Sequence, residues 1–320
     1  MDKTGLALMS PDGGLTLYSY FMDINGDVLE NKWENGLWLT SGRNISETYV
    51  VTSDAAEDSP LSAISYTMNS TTYRQLFYFN SNGLVTAINT TSGSNWSEPY
   101  TVLPNATSLP NTRALAAVAD TQDASLNGVR LYYGSSSGVI QELGIQFTMT
   151  LPNPIWRTFA SFSNSDPSTG VACVLKNGTN HVYLRNMSTG AVQQWQWDYT
   201  DPNTAAWQIG ASTPPNEDIE QGADITATTD GISTDYIFYQ DTNQHTVRAL
   251  YYGQNISDFV TDLVSLNRAP LGYSVAATWS VGLSEGAAVL TQNSSAPTEM
   301  LNSLITREGQ DGSATIYTGP

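Results

Sequence analysis

A two-strand phrase returns about every fifty residues along this chain, and a repeat of that period restricts the fold to architectures built from stacked or radially arranged units. The third copy reads Gly128-Val-Arg-Leu-Tyr-Tyr133, a short polar turn, Gly138-Val-Ile-Gln-Glu142, then Trp156. The first runs Leu15–Phe21 into Gly26–Glu30 and Trp38, the second Tyr73–Phe79 into Gly83–Ala87 and Trp96, the fourth His181–Leu184 into Gly190–Gln194 and Trp207. A fifth copy, Tyr236–Tyr239 then Thr246–Ala249, lacks the closing tryptophan, and the sixth, around Ala288–Leu290, is the most eroded. Between the phrases lie alternating runs rich in Val, Ile, Tyr, Phe, Thr and Trp, separated by Gly/Asn/Ser/Asp turns, which is a strand signal. Only 258–266 and 299–305 carry weak helical periodicity.

Copies begin near Leu6, Ala63, Ala114, Val171, Ile225 and Val275. Each supplies about four strands, and a lone sheet of that size cannot bury both faces, whereas a ring of sheets can. The expected fold is therefore all-β, a six-bladed β-propeller of mostly four-stranded blades, with five and seven blades as the neighbouring alternatives. Residues 1–320 read as a single propeller domain, because the phrase keeps step across the acidic connections at 53–60 and 214–221. The strand at Ala314–Tyr317 is a candidate to complete a blade begun at the N-terminus.

Thirty acidic residues against twelve basic ones give a net charge of -18. Nucleic acid and anionic membrane surfaces need a basic footprint and are poor partners. No apolar run is long enough to cross a membrane by helix, and Met1–Gly5 does not resemble a signal peptide. Two histidines and no calcium-loop or zinc spacing argue against a metal, and no cofactor is expected. The single cysteine, Cys173, cannot form an intrachain disulfide and sits in a buried-strand pattern. Nine sequons, at Asn44, Asn69, Asn89, Asn95, Asn105, Asn177, Asn186, Asn255 and Asn293, are N-glycosylation candidates and point to an extracellular location.

The third copy resembles the repeat of the fungal fucose-specific lectins, six-bladed propellers whose phrase runs [IV]-R-x-Y-Y, a turn, G-x-[IV]-x-E and a later W. The resemblance implies a non-enzymatic glycan-binding protein, secreted or an ectodomain, with fucose or a related sugar as ligand. Arg130 offers only donors and Glu142 only acceptors, and Trp156 would cover an apolar sugar face. The bland alternative is a cross-strand ion pair with Trp156 packed between blades. Glu30 with Trp38 forms a partial second set in which Tyr18 stands at the arginine place. In the second copy Arg74 is one residue out of step, which turns its side chain to the opposite face, and Ala87 replaces the acid. The fourth copy has Gln194 for the glutamate and Val182 near the arginine place, and the fifth has Ala249.

A protein-interaction propeller that has lost sugar binding, with a cell-surface protein as partner, is the second reading. A glycosidase is the third: Ser10–Leu17 has an imperfect likeness to a sialidase Asp box, and such an enzyme would need a pair of catalytic groups in the central pocket. The cluster Trp195-Gln-Trp-Asp-Tyr199 places Trp195 and Trp197 on one face, as inter-blade core in preference to a ligand platform.

Overall fold

The computed structural model describes residues 5–12, 15–23, 25–34, 37–38, 49–91, 94–120, 128–147, 155–201, 203, 206–213, 219–230, 234–240, 247–253, 260–262, 275–280, 286–292, 300–306 and 315–318. Among them every regular element is a strand, and the strands form six sheets. The first holds β1 (Leu6–Met9), β2 (Thr16–Met22), β3 (Val28–Glu34) and a split outer edge, β4 (Leu37–Trp38) and β5 (Tyr49–Thr52), both paired with β3. The second runs β6 (Ser62–Met68), β7 (Thr71–Phe79), β8 (Val85–Thr91), β9 (Tyr100–Thr101), and the third β10 (Leu115–Asp120), β11 (Gly128–Gly134), β12 (Ile140–Gln146), β13 (Arg157–Phe162). The fourth runs β14 (Val171–Lys176), β15 (Thr179–Arg185), β16 (Val192–Asp198), β17 (Gln208–Ser212). The fifth comprises β18 (Ile225–Thr229), β19 (Thr234–Gln240), β20 (Val247–Gly253), β21 (Val260–Asp262), and the sixth β22 (Val275–Ser280), β23 (Gly286–Gln292), β24 (Met300–Thr306), β25 (Thr315–Thr318).

Sequential strands pair antiparallel, so each sheet is a meander, and the first strands touch in the closed order β1, β6, β10, β14, β18, β22 and back to β1. That closed order is a six-bladed propeller. Near the axis the strands converge and small side chains are favoured, so Ala7, Ala63, Ala116, Ala172, Ala227 and Ala276 line a cavity of about 110 Å³ there. Larger residues fill the wedges between blades: Phe77, Val129, Leu131 and Trp156 between the second and third, Tyr132, Phe162, Val182 and Leu184 between the third and fourth. The recurrent turn glycine of the phrase has a physical cause. Gly26, Gly83, Gly138 and Gly190 all take φ between 74° and 84° or, for Gly83, 70°, a conformation that other residues adopt only with strain.

Two expectations change. The C-terminal strand does not complete the first blade: β25 pairs with β24 as the outer strand of the sixth, and the ring closes by β1 packing beside β22. The two weakly helical stretches are strands where they are described, β21 and β24, because a neighbouring strand offers each a ladder that local periodicity does not reveal.

Candidate functional site: the groove between the third and fourth blades

On the third blade Arg130 stands opposite Gly144 and Tyr132 opposite Glu142, so these four residues share one face. The arginine and the glutamate meet on the diagonal, Nε to Oε1 at 3.2 Å, with side chains only 5% and 4% exposed. Gly144 makes the approach possible. A Cβ there would lie 2.7 Å from Arg130 Nη1 and 2.8 Å from a ring carbon of Phe159. The guanidinium lies 4.4 Å from the centroid of the Phe159 ring, a cation-π contact on the outer strand β13. The register of β12 and β13 slips between Gln141 and Leu143, and beside that irregularity the Ala160 N–H donates to Glu142 Oε2 at 3.2 Å.

The opposite wall belongs to the fourth blade. Trp207 Nε1–H donates to Glu142 Oε2 at 3.3 Å, and its ring stands edge-on to Tyr132 at 6.1 Å and to Trp197 at 5.8 Å. Asn180 donates to the Tyr132 hydroxyl, and the Tyr199 ring lies 5.9 Å from the Arg130 guanidinium. Burial pushes the Glu142 carboxyl above its ordinary range, and Arg130, the Ala160 N–H and Trp207 offset part of that shift. The groove thus concentrates a fixed donor, a fixed acceptor and aromatic rings, the inventory a neutral polyhydroxy ring requires.

Trp156 is not part of this set. It lies on the other face of the third blade, buried against Phe77 of the second, ring centroids 5.9 Å apart and nearly perpendicular. The same relation recurs one copy away in each direction, Trp96 with Tyr20 at 5.8 Å and Trp207 with Tyr132 at 6.1 Å. A closing tryptophan therefore serves the copy before its own. By that rule Glu30 is served by Trp96, while Trp38 pairs through its backbone with Trp33 and its side chain lies outside the described residues. Alternation along β11 and a reading of neighbouring copies together would have identified Trp207. Gly144 and Phe159 carried no signal in the phrase.

The other grooves hold different residues at the same register. Between the second and third blades Gln75 donates to the Tyr100 hydroxyl at 2.6 Å and Ala87 occupies the acid's place in an apolar wedge. On the fourth blade Tyr183 pairs with Gln194 and His181 with Gln196, so His181, not Val182, stands at the arginine place. Asp235 reaches across from the fifth blade to His181 Nδ1, to the Tyr183 hydroxyl at 2.6 Å and to Lys176 Nζ at 2.9 Å. Burial pushes the Asp235 carboxyl up, and His181, Lys176 and Tyr183 outweigh it and hold the group below its ordinary range. Glu30 accepts a hydrogen bond from Arg74 of the second blade at 2.6 Å.

Cys173 lies on β14, and burial pushes its thiol up, away from nucleophilic reactivity. Trp195 and Trp197 share a face, the first packed on Phe162 at 5.4 Å and the second at Trp207 and Tyr199. Among the sequons Asn69, Asn95, Asn105 and Asn177 are exposed, Asn89 and Asn186 are half-buried, and Asn44, Asn255 and Asn293 lie outside the described residues.

No family model and no curated protein matches the chain. Solved structures do. The lectin of Aleuria aurantia, described as a six-bladed β-propeller with a fucose recognition mode of its own, is 19% identical, with 99% of this chain and 95% of that one covered and a TM-score of 0.73. AofleA from Arthrobotrys oligospora is 14% identical, with 99% and 86% covered and a TM-score of 0.74. A Hadza microbial sialidase is 12% identical, with 96% and 66% covered and a TM-score of 0.62. A variant of the Aleuria lectin has also been solved with α-methyl-L-fucoside. At these identities the likeness is one of architecture, and the chain shares the six-bladed propeller fold of the fungal fucose lectins.

Proposed function

We propose that the protein is a non-enzymatic, lectin-like carbohydrate-binding propeller whose principal site is the groove between the third and fourth blades. The observation that carries this reading is the convergence of Arg130, Glu142, Trp207 and Phe159 in one groove, with the acceptor held by two protein N–H donors and the donor lying on an aromatic face. A sugar with an apolar face, fucose or a related 6-deoxy sugar, matches that inventory, and the fold-level likeness to fucose lectins supports the same class. The exposed sequons support an extracellular location, secreted or as an ectodomain. Hydrolysis between paired carboxylates is not favoured: among the described residues lining the axial cavity Asp224 is the one carboxylate.

The test is a glycan array followed by calorimetric titration with α-methyl-L-fucoside. Phe159→Ala is the diagnostic variant, since Phe159 is 46% exposed and its removal leaves the buried pair intact. The reading expects binding that Phe159→Ala weakens. Absence of binding at millimolar fucoside overturns the fucose assignment, and turnover of a chromogenic glycoside overturns the non-enzymatic one.

The near-complete burial of the Arg130–Glu142 pair favours a second reading, a protein-interaction propeller in which the pair only braces the two blades. In that case a cell-surface partner binds with an affinity indifferent to Phe159→Ala.

A further inference from the structure

At the end of its second strand a blade meets both the connection that enters it and the connection that leaves it, and three successive copies treat that place differently. In the fourth blade the Asp166 N–H donates to the Arg185 carbonyl at 2.9 Å and the Ile219 N–H to that of Gly190 at 3.1 Å. The second blade repeats both bonds, Ala56 to Phe79 at 2.7 Å and Ser108 to Gly83 at 2.8 Å. Phe79, Ala56 and Ser108 therefore stand where Arg185, Asp166 and Ile219 stand two blades on. In the fourth blade the chain fills the gap between the connections itself: Arg185 gives Nη1 to Asp166 Oδ2 at 2.9 Å and Nε to the Ile219 carbonyl at 3.0 Å. In the third blade the gap is closed by close approach. The Leu109 N–H donates to the Gly134 carbonyl at 2.9 Å, which puts Gly134 at the same place, and a Cβ there would collide with the Thr112 hydroxyl and the Pro167 carbonyl. In the second blade the gap is an open cavity of about 370 Å³, lined by the two connections, by Phe79 and by the turn at Ser81–Gly83.

The geometry points to a binding site in this cavity for the arginine side chain of a partner polypeptide, seated where Arg185 sits in the fourth blade. The acceptors it needs are in place. The Ser108 carbonyl, counterpart of the Ile219 carbonyl, belongs to the cavity lining and accepts no hydrogen bond among the described residues. Ala56 lacks the carboxylate of Asp166, but the next two residues, Glu57 and Asp58, bring two to the cavity wall, and among the described residues neither is in an ion pair. Phe79, Pro60 and Leu109 supply apolar surface for the aliphatic stem. A guanidinium presents five N–H donors in a fixed fork and serves a carbonyl and a carboxylate at once, as Arg185 does, whereas an ammonium is a compact, strongly hydrated point charge. The two uncompensated carboxylates give the cavity a negative charge that a neutral ring does not match and an anion opposes. The net charge of -18 draws basic ligands toward the chain from a distance. The site is separate from the groove beside Glu142 and stands whichever reading of that groove holds.

The test is an NMR titration of the isotope-labelled full chain, at about 0.15 M salt to screen diffuse attraction, with N-acetylarginine methylamide and with the citrulline analogue, which keeps the shape and lacks the charge. A second arm uses the double variant Glu57→Gln with Asp58→Asn. Glu57 is exposed, and asparagine tolerates the left-handed φ of 62° at Asp58, so the variant folds, which thermal unfolding checks. The expected result is saturable shifts at the amides of Glu57, Asp58, Asn82 and Leu109 with a Kd on the order of 1 mM, weakened about tenfold or more for the citrulline analogue and for the double variant. Equal response to the two probes overturns the inference, as does binding that the double variant leaves unchanged. Shifts scattered over the acidic surface, or none at these amides, overturn it as well.

Discussion

The groove between the third and fourth blades and the groove between the fourth and fifth use the same register positions to opposite effect. In the first, Arg130 and Glu142 lie on one wall and the facing position, Asn180, donates to the Tyr132 hydroxyl. In the second, His181 and Gln194 take those places and the facing residue is Asp235, which engages His181, Tyr183 and Lys176 together. The residue just before the arginine place of the next copy thus differs in what it engages: Asp235 holds three side chains across its groove, whereas Glu142 is held by Arg130, the Ala160 N–H and Trp207 without a contribution from Asn180. A carboxylate there closes the network, and an amide leaves an acid and a guanidinium facing aromatic rings.

Breaking either network exposes the difference most strongly. Glu142→Ala strands the Arg130 charge in a buried setting, and a loss of about 3–5 kcal/mol in chemical denaturation is expected. Asp235→Ala strands Lys176 as well as altering His181, with a loss at least as large. Replacing the first pair together, Arg130→Met with Glu142→Leu, recovers most of the stability while abolishing sugar binding. A more local disturbance is Gly144→Ala. Its Cβ would meet Arg130 Nη1 at 2.7 Å, so the guanidinium is displaced at a cost of about 1–3 kcal/mol, and fucoside affinity falls with it.

Acid distinguishes the two carboxylates by sign. Glu142 is pushed up by burial, so on acidification the folded protein takes up this proton before the unfolded chain does. As pH falls through the raised folded value this group stabilises the fold, and under the proposed lectin function the lost acceptor charge should release a bound sugar. Affinity titrated against pH should therefore fail above the ordinary carboxylate range, and Glu142→Gln should bind weakly at every pH. Asp235 is held low, so the stability it contributes is present above its unfolded value and is lost as pH falls through its depressed folded value. Unfolding measured against pH in Asp235→Asn should lack that acid limb. The smallest effect is at the rim: Phe159→Ala changes stability by within about 0.5 kcal/mol, and fucoside affinity by several-fold.

The repeat made the blades and their number legible, because strand alternation and the left-handed turn glycine are local properties of the chain. The pair Arg130 and Glu142 was legible for the same reason: both lie on one hairpin, where register follows from a short turn. The tryptophan was not, since the ring that serves this pair is Trp207, and Trp156 carries the same motif position into the preceding groove. Reading Arg74 as out of step was correct about its face and silent about what that face meets, Glu30 of another copy. Contacts across a blade interface join residues about fifty positions apart, and no periodicity within one copy announces them.

Because each groove takes one wall from each of two successive copies, the unit that is copied and the unit that functions are offset by half a step. Duplicating or transplanting the third copy alone, residues 115–162, would carry one wall of two different grooves and complete neither. The portable segment runs from Gly128 through Ser212, the second strand of one blade to the last strand of the next. A single substitution in any copy can alter the groove ahead of it or the one behind, according to the parity of its position along the strand. Such a ring can vary its grooves one at a time while every blade keeps the same backbone.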